Sequence, residues 1–197
     1  DGLRFWEVAT KKEIKLLQEE TQTVRFAAFA PEGHLLATSH PGGEVRIWDT
    51  RAGSRVTSIL GARGVVKDIS RDGKLIALGT WDGLITLLDV SKGTIVREFQ
   101  GDSSNLRGLA FTPDAKTLVS TGKDSEVRFW STASGQLALT LGHLGTSTSV
   151  SFSADGDLMA TSGGDGLVRL WPAASLSEAD AEGADATMNA DPQEQQD

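Results

Sequence analysis

From Gly142 to Trp171 the chain reads GHLGTSTSVSFSADGDLMATSGGDGLVRLW, and apolar and polar positions alternate through three short runs of it. The first run is 147–152, with Val150 and Phe152 on one face; the others are 158–162 and 167–171. Alternation at period two predicts half-buried strands, and the Asp-Gly turns between the runs supply the positive backbone angles of tight antiparallel connections. The design recurs. The first turns, Pro31-Glu32-Gly33, Arg71-Asp72-Gly73, Pro113-Asp114-Ala115 and Ala154-Asp155-Gly156, fall 40, 42 and 41 residues apart. Each is followed 17 positions later by Trp48, Leu88, Trp130 and Trp171.

A fixed period in the low forties with four short strands per unit is the mark of propeller blades, which bury their faces only against neighbouring blades. The predicted fold class is therefore all-β: a propeller portion over 1–172 of about four four-stranded antiparallel blades. The repeat units run over about 1–22, 23–63, 64–104, 105–145 and 146–172. Strands at 3–8 and 13–17 are the second half of a blade, since Trp6 precedes Trp48 by one period of 42. The first whole blade takes 24–29, 35–38, 44–49 and 54–60. Gly53, Gly93 and Gly135 stand five residues after the Trp-like position, where a turn needs a left-handed residue.

The residues Gly142-His143, Phe152 to Gly156, Asp165 and Val168-Arg169-Leu170-Trp171, with Trp48-Asp49 in another copy, resemble the WD-repeat family over roughly residues 1–173. That resemblance implies a hydrogen-bonded chain of a His, a strand hydroxyl, an Asp and a Trp in each blade. Here the set is His143, Thr161 (or Ser162, one register on), Asp165 and Trp171. The third repeat keeps Ser120, Asp124 and Trp130 but has Gly101-Asp102 in place of Gly-His. The second has Leu78 and Leu88 and keeps only Asp82, and the first has Glu20 and Gly42 in the His and Asp places. Joint loss is what a mutually dependent buried network predicts, because a half-satisfied set costs more than an apolar one.

Charge changes the picture in one place. The formal net charge is −8, yet residues 173–197 hold seven acidic side chains and no basic one, leaving 19 basic against 20 acidic in the rest. The 173–197 segment, poor in apolar residues and uniformly negative, is expected to be a disordered acidic tail. A near-neutral body offers no basic footprint for nucleic acid, and no apolar run reaches the ~20 residues of a membrane span. Cysteine is absent, which excludes disulfides and thiolate chemistry. His34, His40 and His143 fall in different loops without metal-ligand spacing, and no Gly-rich loop leads into Lys-Ser or Lys-Thr. No cofactor, metal or catalytic set is expected.

The resemblance implies a non-catalytic protein-interaction scaffold, with partners on the rim formed by the turns before third strands and the loops into first strands. Candidate partner-binding residues are Trp81, Arg25, Arg107 and Lys123. Trp81 stands in a turn where Lys123 and Gly164 stand in other repeats. It is either an exposed anchor or folds onto a neighbouring blade in place of the Trp missing at Leu88. Arg25 and Arg107 occupy matching places early in first strands, lining the channel mouth or simply solvated. The 82–93 stretch, DGLITLLDVSKG, also resembles quinoprotein-type propellers, some of them enzymes. The chain is further expected to be the C-terminal portion of a longer, bacterial, cytoplasmic signalling or regulatory protein. Its remaining blades would come from a preceding part or from self-association.

Overall fold

A computed structural model describes residues 3–17, 23–101, 105–142 and 145–172, for 14–17 the backbone alone. The proposed acidic tail, 173–197, and His143 lie outside the described residues. The order of elements is β1 (Leu3–Glu7), β2 (Lys12–Leu17), β3 (Phe26–Phe29), β4 (Leu35–Ser39), β5 (Val45–Asp49) and β6 (Ser54–Ile59). It continues with β7 (Val65–Ile69), β8 (Leu75–Gly79), β9 (Leu84–Asp89) and β10 (Thr94–Gln100). Then come β11 (Gly108–Phe111), β12 (Thr117–Thr121), β13 (Glu126–Ser131), β14 (Leu137–Gly142), β15 (Ser147–Phe152), β16 (Leu158–Gly163) and β17 (Val168–Pro172). Among the described residues there is no helix, hence none long and apolar enough to cross a membrane.

Every sheet is an antiparallel meander in chain order: β1-β2, β3 to β6, β7 to β10, β11 to β14, and β15 to β17. The first strands β3, β7, β11 and β15 lie against one another in that order and form the inner wall. The fourth strands β6, β10 and β14 lie outermost and are largely exposed. Strand ends differ from the alternation by a residue or two. β3, for instance, begins at Phe26 rather than 24, although the Arg25 amide still donates to the Ser39 carbonyl at 2.9 Å.

The core is a series of layers between sheets. Ile47, Val45 and Ile59 of the first blade meet Ile76, Leu78 and Leu88 of the second. The opposite face of that second blade, with Ala77, Ile85 and Leu87, meets Leu109, Leu118 and Trp130. A strand in the middle of a blade therefore buries both faces. This is why β8 and β9 read as nearly continuous apolar runs while outer strands alternate. The last layer sets Val119 and Phe129 against Val150 and Met159.

Each complete blade, and the β1-β2 pair, carries a bulge at the same place. Ile47 pairs with Thr57 but Trp48 with Arg55, which leaves Val56 as an extra residue; Val96, Ala138 and Ile14 take the same place in β10, β14 and β2. The added twist turns the outer strand as a propeller blade requires. The left-handed residues after the Trp position are Gly53, Gly93 and Gly135, at φ 70°, 63° and 74°. The equivalent position in the β1-β2 turn is Lys11, at φ 56°.

The array ends on open faces. β2 pairs with β1, and β15–β17 is a three-stranded sheet. Val168 and Leu170 on its last strand are 68% and 64% exposed. At the other end β1 covers part of the first blade, where Leu3 and Phe5 pack on Leu36 and Trp48 and the Phe5 ring meets Phe29 edge-on at 5.9 Å.

Candidate functional site

Three blades tie their second and third strands by one repeated bond. The indole Nε1 of Trp48 donates to Thr38 Oγ1 at 2.9 Å, that of Trp130 to Ser120 Oγ at 2.8 Å, and that of Trp171 to Thr161 Oγ1 at 2.9 Å. The hydroxyl partner in the last blade is thus Thr161; Ser162 instead shares a 2.8 Å hydroxyl contact with Thr148. In the second blade Leu78 and Leu88, both fully buried, fill the equivalent space. A buried N–H without an acceptor costs about 1–3 kcal/mol, so Trp and hydroxyl are kept or lost together.

The first blade departs from its sequence reading. It has no Gly-His pair, yet His40 is buried and its Nε2 lies 2.8 Å from Thr38 Oγ1, extending the Trp48 bond into a three-member chain. His40 stands in the loop between β4 and β5, as expected, but its side chain is buried in the blade's interior. The signal was its place two residues after the hydroxyl.

The turn aspartates do different work. Asp165 accepts from the Leu167 amide at 3.1 Å and from Arg169 Nη2 at 2.6 Å, and these bonds, Arg169 first, hold its carboxyl below the usual carboxylate range. Asp124 takes Arg128 Nη1 at 2.7 Å, with Glu126 on the other guanidinium nitrogen. Arg46 pairs with Glu44 at 2.8 Å and Arg4 with Glu13 at 3.2 Å. An Arg two residues before Trp6, Trp48, Trp130 and Trp171 thus forms a second row of ties, ion pairs legible as Arg-x-Trp at residues 4, 46, 128 and 169.

Trp81, Arg25 and Arg107 come together. They line one cleft of about 750 Å³ at the mouth of the inner wall, on the side of the turns before third strands. Trp81 is 72% exposed, which rules out its packing onto a neighbouring blade as a substitute for the Trp absent at Leu88. Its turn is fixed: the Trp81 carbonyl accepts from the Asn105 amide at 3.1 Å, and the next carbonyl, Asp82, from Gln100 Nε2 at 2.8 Å. Lys123 is exposed on the equivalent turn of the next blade but does not line this cleft.

Arg63 and Lys67 also line it and were not singled out from the sequence. Lys67 Nζ donates to the Arg107 carbonyl at 3.2 Å and stands 5.4 Å from the Phe26 ring centroid; burial lowers its affinity for the proton. Lys67 is the extra residue of a bulge in β7, where Val66 pairs with Leu78 and Asp68 with Ala77, so alternation alone could not place it. At the opposite mouth a second cleft, about 620 Å³, includes Asp68. Asp68 accepts from the Ile69 amide at 2.8 Å and, across the blade boundary, from the Phe111 amide at 2.7 Å, while burial pushes its carboxyl up. Among the described residues no group of three or more His, Cys, Asp or Glu is placed to hold a metal ion.

Radial four-stranded meanders with inner first strands define a β-propeller array whose distinctive surface is a turn-side cleft. The sequence profile of the family described as "WD domain, G-beta repeat" matches residues 11–49, 93–131 and 135–172, more than half of the chain, and the protein belongs to that family. The profile passes over 50–92, whose Leu-for-Trp blade is nonetheless fully built. The chain is 30% identical over 121 residues to human "WD repeat-containing protein 36", spanning 61% of this chain and 14% of that protein. It is 33% identical over 124 residues to "Uncharacterized WD repeat-containing protein sll1491" of Synechocystis sp., spanning 61% and 35%. Among solved structures, "Crystal structure of RRP9 WD40 repeats" aligns with a TM-score of 0.68 at 24% identity, over 83% of this chain and 51% of that one. The chain spans about half or less of the length of these relatives. WD-repeat proteins are in general protein-interaction scaffolds.

Proposed function

We propose that this chain is a non-catalytic interaction module that holds a protein partner on its turn-side face, as part of a larger signalling or regulatory protein. The observation that carries the reading is Trp81: a large apolar side chain, 72% exposed, on a turn pinned by backbone bonds beside a ligand-sized cleft. Exposing an indole has no folding benefit, and burying one against a partner contributes heavily to binding. Arg25 and Arg107 flank it from the residues just before the first strands β3 and β11; Lys123 lies on the periphery of the same face.

The open faces support a second part of the proposal. The exposed Val168 and Leu170 and the three-stranded last sheet fit a propeller portion completed by further blades, either of a longer chain or of a second copy. The test is site-specific photocrosslinking in cell extract, with the reactive group placed at 81 and, as control, at 114 in the turn between β11 and β12. Partner adducts specific to 81, lost when Arg107 is also changed to Ala, support the reading. Equal labelling from both sites overturns it.

A further inference from the structure

Resting on that reading of the turn-side face, we infer that the cleft beside Trp81 takes an acidic peptide segment of a partner protein. Its carboxylates would sit on Arg25, Arg63 and Arg107, and its apolar side chain on the Trp81 ring. The first support is charge. Among the described residues Arg25, Arg63, Lys67 and Arg107 line the cleft and no Asp or Glu does, in a chain whose formal net charge is −8. Four cations around one opening repel each other and raise the local anion concentration.

The second support is the state of those cations. Among the described residues no carboxylate pairs with Arg25, Lys67 or Arg107, and the one partner of Arg63 is Asp82 at 3.8 Å, both side chains well exposed. Elsewhere in the fold the arginines before the tryptophans are paired, Arg46 with Glu44, Arg128 with Asp124 and Arg169 with Asp165. Arg25 and Arg107 keep their forks available for bidentate carboxylate contacts. Lys67 reinforces them from below. It is fixed by the Arg107 carbonyl and by Phe26, and its desolvated charge gains most from a nearby anion.

The third support is rigidity and shape. The backbone amides of Arg25 and Arg107 donate to Ser39 and Thr121 carbonyls at 2.9 Å, and Ala62 is tied to Gly43 at 2.9 Å. The cations therefore stand on a fixed frame, which lowers the ordering cost of binding. Nucleic acid is the poorer fit, because it would need a basic stripe longer than this single cleft. The chain's own acidic segment follows β17, whose last residues pair with Leu158 beside the Ala154-Asp155-Gly156 turn, on the side away from the cleft.

The test uses the full chain and a ten-residue peptide of alternating Glu and Leu, titrated by calorimetry in 50 mM and 300 mM salt. A peptide with Gln for Glu and a single-stranded oligonucleotide of equal charge serve as comparison ligands. We expect the Glu peptide to bind at least tenfold more tightly than either and to weaken about tenfold at the higher salt. Arg107→Glu and Trp81→Ala should each weaken it at least fivefold, whereas Lys116→Glu, the same charge change on a remote turn, leaves it within twofold. Equal binding of the Gln peptide, tighter binding of the oligonucleotide, or an equal effect of Lys116→Glu overturns the inference. So does a gain of tenfold or more when the seven acidic residues of 173–197 are made amides, which would make that segment the occupant. If the Glu peptide fails while crosslinking from position 81 persists, the acidic ligand falls and the scaffold reading stands; if both fail, both fall.

Discussion

Replacing Thr38 by Val tests the physical basis of the repeated Trp–hydroxyl pair. The two side chains have nearly the same shape, so no cavity opens; what changes is the acceptor for Trp48 Nε1, now 2.9 Å from Thr38 Oγ1, and the partner of His40 Nε2 at 2.8 Å. Trp48 and Thr38 are both 0% exposed, so water does not replace the lost acceptor. An orphaned buried donor costs about 1–3 kcal/mol, and with two groups affected we expect a loss of about 2–3 kcal/mol. In the last blade Trp171 is only half-buried, water reaches its ring, and Thr161→Val should cost under about 1 kcal/mol. The assay is urea unfolding followed by circular dichroism, with the slope required to stay constant so that the midpoint reports stability. Adding Trp48→Phe to Thr38→Val completes a double-mutant cycle whose coupling should be about 1–2 kcal/mol. If Thr38→Val costs less than about 0.5 kcal/mol, or as much as Thr161→Val does at its wetter site, the desolvation argument is wrong.

Four further outcomes are expected. Ala115 holds φ 58° in a turn where Gly33, Gly73 and Gly156 hold the same region, so Ala115→Gly should raise the unfolding free energy by about 1 kcal/mol in the same urea assay. At Gly64, φ +101°, an added Cβ would lie 2.7 Å from the Gly79 carbonyl oxygen, and Gly64→Ala should lower stability by about 2 kcal/mol or more and prise open the edge of the cleft. Hydrogen bonds from the Ser91 hydroxyl and Lys92 amide hold the Asp89 carboxyl down to about 2, below its ordinary 3.8. Its contribution is complete above pH 4 and is lost as pH falls toward 2, so melting temperature should drop across that window and drop less in Asp89→Asn. Trp81→Ala should change stability by no more than about 0.5 kcal/mol, measured by urea unfolding, because its side chain faces solvent.

The all-β class, the period and the strand count were legible in the chain because they rest on local chemistry. Turns need residues that tolerate positive φ, half-buried strands need alternation, and both recur wherever the same backbone path recurs. Those constraints act within about ten residues, so they are written in order along the sequence. The Trp130–Ser120 and Trp171–Thr161 pairs were visible for the same reason, since both partners lie on adjacent strands of one meander at a fixed offset of ten.

Other features depended on strand pairing and packing rather than on spacing along the chain. His40 replaces a histidine expected in another loop only because the fold brings it beside the Thr38 hydroxyl. The extra residues at Val56, Val96 and Ala138 leave the alternation intact enough to hide them, and only strand pairing reveals them. Trp81 had two open readings until its exposure decided between them, and the cleft around it joins residues from 25 to 107. Sequence determined the blade because a blade is built from neighbours. The cleft is built where three blades meet, and its charge is a sum over positions that only packing makes adjacent.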